Sequence, residues 1–184
     1  IRRYRQQIYR MSSEWLSWLN VPLTEQVLPL SRLTLSSNLS SHSANNLTSL
    51  TMRSSDRYTW QLQVKADALL RLLENSTDGI AQLAVLKIAP SDRKQRLKTE
   101  MAARPQAGKK LYQTLGIPLW LRESLIVVSI TLTKKSEDGS EIETDIPLLL
   151  ASPFESWLLS SEQTDNDAKS NQLAEYIKSE LSLK

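Results

Sequence analysis

Tyr58-Thr59-Trp60-Gln61-Leu62-Gln63-Val64-Lys65 alternates apolar and polar side chains without interruption. Successive side chains of a strand point to opposite faces, so this period of two marks a half-buried strand with Tyr58, Trp60, Leu62 and Val64 turned inward. Asp67 follows as a cap for a short helix, Ala68 to Glu74, which carries Leu69, Leu70, Leu72 and Leu73. Asn75 to Gly79 stop that helix, and Ile80 to Ile88 reads as a second, more buried strand. Pro90 to Asp92 turn the chain into a third strand, Lys94 to Met101, which is charged and therefore suited to an edge. Pro105 to Leu115 then suits a short helix closed by Gly116 and Pro118, and Ile126, Val128, Ile130 and Leu132 mark a fourth strand. The order β-α-β-β-α-β is that of the split βαβ, or ferredoxin-like, arrangement.

Working outward from this segment, Asp138-Gly139 is a hairpin signal, and Ile142, Thr144, Ile146 and Leu148 continue as a paired strand. Ser152-Pro153-Phe154-Glu155 has the form of a capping box, with proline at the first helical position. Leu173, Tyr176, Ile177 and Leu181 mark a last amphipathic helix. Towards the N-terminus, Ile8, Met11, Trp15 and Leu19 recur at helical spacing and predict a helix over 1–20. Residues 26–35 suit an edge strand, because Pro29 lacks a ladder donor. Residues 36–55 are rich in Ser, Asn and Thr and predict a polar loop. The expected fold is α+β, with a mainly antiparallel sheet of about five or six strands. It occupies 1–184 as a single domain: a helix over 1–20, a sheet core over 57–150 and helices over 152–184.

Composition narrows the chemistry. Apolar residues make up 40% and charged residues 23% of 184, which is globular. The absence of cysteine removes disulfides, thiolate nucleophiles and cysteine-ligated metals, and the single histidine removes His-rich metal sites. Cysteine-free chains occur in oxidising and reducing compartments alike, so no compartment is assigned. No apolar run reaches the roughly 20 residues that span a bilayer. The chain opens on Ile1 rather than Met, which leaves room for a membrane anchor upstream. Charge is split: residues 1–110 hold 17 Lys and Arg against 8 Asp and Glu, a net of +9, and residues 111–184 hold 6 against 12, a net of −6. Such ends suit self-association or two different partners.

No catalytic set stands out. His42 lies in the Ser-rich stretch without a G-x-S-x-G elbow and reads as a solvated side chain. Glu141, Glu143 and Asp145 share one strand face, where three like charges favour solvent. Asp165-Asn166-Asp167 lacks the glycine and distal glutamate of a calcium loop and suits a helix cap. Gly108-Lys109-Lys110 resembles the end of a phosphate loop, but position 103 is Ala103 instead of the upstream glycine. No cofactor is implied.

The strongest functional candidates are cations: Arg2, Arg3, Arg5 and Arg10 at the N-terminus, and Arg93, Lys94, Arg96, Lys98, Arg104, Lys109 and Lys110 in the middle. They suit contact with an acidic protein surface or with phosphates. The expectation is a non-catalytic protein-interaction or assembly domain, a scaffold within a larger complex. The alternative is a nucleic-acid-binding accessory domain that uses the basic residues of 1–110. An enzyme built from Asp, Glu, Lys, Arg and Ser alone is a third reading.

Overall fold

The computed structural model describes residues 2–4, 7–30, 47–76, 83–135, 140–160 and 167–184. Its strands, in chain order, are β1 (Arg2–Tyr4), β2 (Gln7–Tyr9), β3 (Gln26–Leu30), β4 (Leu47–Ser54), β5 (Thr59–Lys65) and β6 (Leu83–Pro90), then β7 (Arg96–Leu97), β8 (Gln106–Ala107), β9 (Ile126–Lys135), β10 (Glu141–Ala151), β11 (Ser156–Leu158) and β12 (Leu181–Leu183). The helices are α1 (Ser13–Leu19), α2 (Ala66–Ser76), α3 (Gly108–Thr114) and α4 (Asp167–Glu180), with a 3-10 turn at Leu119–Ser124. The class is the expected one, α+β with antiparallel sheets.

The topology departs from a split βαβ unit. That unit returns the strand after the helix into the same sheet, parallel to the first. Here β5 belongs to a three-stranded sheet ordered β12-β5-β4, and β6 to a five-stranded sheet ordered β11-β10-β9-β6-β3. Among the described residues every pairing is antiparallel. The reason lies in β5: Trp60, Leu62 and Val64 are fully buried, and both flanks of the strand are filled by segments that sequence periodicity had left polar or helical. In the larger sheet Ile126 to Ile130 are buried on both faces, so β9 is the central strand between β6 and β10. Pro29 sits on β3, an outer strand of that sheet. One apolar cluster takes in Trp60 and Leu62 of the smaller sheet, Ile88 and Val128 of the larger, and Leu69 and Ile177 of the helices.

Four boundaries are corrected. Residues 1–20 do not form one helix: β1 and β2 make a hairpin, and only Ser13–Leu19 is helical. Clustered arginines oppose the positive end of a helix dipole, whereas Ser12 accepts the Trp15 N–H at 3.1 Å and caps a shorter helix. The polar stretch 36–55 contains β4 from Leu47, and its earlier part, with His42, lies outside the described residues. The strand expected over Lys94 to Met101 shrinks to Arg96–Leu97 and an isolated bridge from Thr99 to Leu159. Among the described residues of 152–184 one helix forms, flanked by β11 and β12. The Ser152 hydroxyl does accept the Phe154 and Glu155 N–H groups, at 3.2 and 3.0 Å, but it shapes the β10–β11 turn instead of starting a helix. Asp138-Gly139 and Asp165-Asn166 also lie outside the described residues.

Candidate nucleic-acid interface

The central cations gather on a small ribbon. β7 and β8 pair with Arg96 opposite Ala107 and Leu97 opposite Gln106, which folds residues 93–98 back against 104–110. Arg93, Lys94, Arg96, Arg104, Lys109 and Lys110 are exposed and Lys98 is half-buried. Between residues 92 and 110 these seven cations meet only two carboxylates, Asp92 and Glu100. Of the seven, Arg93 is paired outside the ribbon, with Glu123, and Arg96 donates to the Pro105 carbonyl at 3.0 Å, which fixes its stem across the ribbon. Asp92 is engaged by the Lys94 backbone N–H at 2.9 Å. The ribbon therefore presents an excess of positive charge to solvent.

Gly108 makes this closure. Its φ is +46°, and a Cβ there would lie 2.6 Å from the Arg93 carbonyl oxygen. Only glycine accepts both the left-handed backbone and the close approach. α3 begins at Gly108 and ends in a Schellman motif. Gly116, φ +72°, donates to the Gln113 carbonyl and Ile117 to the Tyr112 carbonyl. The Arg122 guanidinium bridges back to the Ile117 carbonyl at 3.2–3.3 Å and lies 5.4 Å from the Tyr112 ring centroid. α3 is thus held at both ends.

The end of α3 forms one wall of a cleft of about 1150 Å³, which sequence reading missed. Its other walls carry Tyr9, Trp15, Tyr58, Trp120, Phe154 and Trp157. The rings meet mostly at an angle: Tyr9 to Trp120 at 5.2 Å, Trp15 to Tyr58 at 4.8 Å and Trp15 to Phe154 at 5.2 Å. Arg10 and Glu155, both exposed, stand on the same lining. Trp60 is core; Tyr58, just before the first residue of β5, is half-buried, packs against the core cluster and also lines the cleft. The signal that marks this site in the sequence is Pro118-Leu119-Trp120 beside Phe154 and Trp157, aromatics outside any periodic run.

The N-terminal cations divide. Arg10 reaches the cleft; Arg2 and Arg3 lie on β1, opposite Tyr9 and Ile8 of β2, and Arg5 lies outside the described residues. Glu141, Glu143 and Asp145 are exposed on β10. A further cation, Arg53, is inside the protein. It is 3% exposed, donates to Ser124 Oγ at 2.8 Å, and sits 5.2 Å from the Trp18 ring centroid. Desolvation by burial lowers its pKa to about 10. Among the described residues no helix is long and apolar enough to cross a membrane.

No family model and no solved structure matches the chain. A curated relative does. Over 168 residues, 89% of this chain, it is 27% identical to a tRNA(Ile)-lysidine synthase of Psychrobacter sp. (strain PRwf-1). The chain spans 31% of that protein's length. This finding overturns the expectation of a non-catalytic assembly or scaffold domain, because the relative is an enzyme. The reading of the chain as unconnected with an enzyme falls with it, and nothing supports a protein partner. A nucleic-acid partner, the expected alternative, agrees with a relative named for tRNA.

Proposed function

We propose that this chain is the tRNA-engaging portion of a tRNA-modifying enzyme of the lysidine synthase kind. The observation that carries the reading is the similarity to tRNA(Ile)-lysidine synthase over 89% of the chain. The exposed ribbon supports it, since a surface with seven cations and two carboxylates attracts a polyanion whatever its sequence. Lys109, Lys110, Arg104 and Lys94 contact phosphates, and Arg96, held on Pro105, supplies a fixed guanidinium. Arg10, exposed on the lining of the neighbouring cleft, offers a further cation to the same polyanion.

The test is fluorescence anisotropy of labelled tRNA titrated with the chain over a series of salt concentrations. Binding is expected at low salt, with log affinity falling by roughly 0.7–0.9 per log salt for every phosphate neutralised. Failure to bind tRNA at the lowest salt overturns the reading, since phosphate attraction is strongest there.

A further inference from the structure

We infer that the aromatic cleft receives an unpaired nucleobase of the bound RNA, an inference that rests on the tRNA-binding reading above. Six of the chain's eleven aromatic residues line this one cleft. The rings touch one another and pack against the core on their inner side, yet they still border an open volume, with Phe154 53% and Ile8 73% exposed at its lining. Flat, rigid aromatic walls suit a flat, polarisable occupant, and every base offers a π-face to stack upon.

The polar groups on the lining fit the rest of a nucleotide. Arg10 offers a cation for the phosphate, and the Glu155 carboxylate offers an acceptor for a base amino group. A purely lipidic or aliphatic partner would leave both charges without a counterpart. The cleft is also joined to the basic ribbon. Lys109 and Lys110 occupy the first turn of α3, whereas Leu115, Gly116, Ile117 and Pro118 at its far end belong to the cleft wall. A helix of this length spans ~10 Å. A strand whose phosphates lie on the ribbon therefore has its next nucleotides within reach of the rings. Glu155 favours a base that carries an exocyclic amine, such as cytosine or adenine, over uracil.

The experiment compares two RNAs of equal duplex length, a blunt hairpin and the same hairpin with a single-stranded extension, binding to the full chain. Tryptophan fluorescence reports occupation of the cleft. The extended RNA is expected to bind about tenfold more tightly, as stacking of one base is worth ~1–3 kcal/mol. It is also expected to quench fluorescence that the blunt hairpin leaves unchanged. Phe154→Ala, at an exposed position, should remove the advantage while leaving the blunt hairpin's affinity and the thermal midpoint as they were. Lys109→Ala should weaken both RNAs alike. Equal binding of the two RNAs by the parent chain overturns the cleft inference and leaves tRNA binding intact; no binding of either overturns both. A fall in self-association on Phe154→Ala, with RNA affinities unchanged, would assign the cleft to a second copy and also overturn the inference.

Discussion

Arg53 on β4 and Ser124 at the end of the 3-10 turn are 71 residues apart in sequence and joined by a buried 2.8 Å hydrogen bond. The bond ties the three-stranded sheet to the segment that leads into β9. It satisfies one donor of a guanidinium whose Nε has no partner among the described residues. Contact with the Trp18 ring returns part of the lost hydration, but the lowered pKa shows that desolvation prevails. Arg53→Met keeps the stem packing and removes the charge, so it is expected to raise stability by roughly 1 kcal/mol or more. Arg53→Ala leaves a cavity and is expected to lower it. Chemical denaturation of the two variants checks both; a Met variant weaker than the parent would show that the cation is a net stabiliser.

The same residue sets an alkaline signature. Its pKa is about 10 when folded, below the ordinary arginine value that the unfolded chain keeps. Below about 10 both states are charged and the folded state bears the full cost of burial. Between the two values the unfolded chain binds the proton that the folded chain has released, so the contribution of Arg53 to stability rises with pH. The stability difference between Arg53→Met and the parent should therefore narrow as pH is raised from 9 to 11, a comparison that cancels the other alkaline titrations. A constant difference would contradict the assignment.

Gly108→Ala would place a methyl group against the Arg93 carbonyl in a left-handed backbone. A loss of roughly 1–3 kcal/mol is expected. Because the contact holds 93–98 against 104–110, tRNA affinity should fall as well, with a shallower salt dependence than the parent. Unchanged melting temperature and affinity would show that the ribbon closes without this contact.

Ser12→Ala removes the cap of α1 and is expected to cost ~1 kcal/mol, whereas Ser12→Asp should retain it. α1 has only seven residues and carries Trp15 into the cleft, so the alanine variant should also lose near-UV circular dichroism from the packed indoles. Preserved near-UV signal would show that aromatic packing alone holds this helix.

Period-two alternation made β5, β6, β9 and β10 legible because each buries one face or both against apolar partners. β4 was not legible, and the cause is a bulge. Its register with β5 shifts between Thr51 and Arg53, so Met52 and Arg53 are both buried and the alternation breaks. β12 is three residues long and is placed by backbone pairing with β5, which leaves no pattern in its side chains. The basic ribbon was visible as composition, although only Gly108 and the β7–β8 register explain why its two halves meet. The aromatic cleft showed only as aromatics outside any periodic run, since its rings come from the N-terminal hairpin, α1, Tyr58 before β5, the 3-10 turn, the β10–β11 turn and β11, brought together by tertiary folding.

Lys184 exchanges both backbone hydrogen bonds with Thr59, at 2.8 and 2.9 Å, and Leu181 to Leu183 continue the ladder along β5. Trimming these last residues would uncover the flank of a strand whose side chains are among the most deeply packed in the molecule. Such a bare flank is a template for another chain.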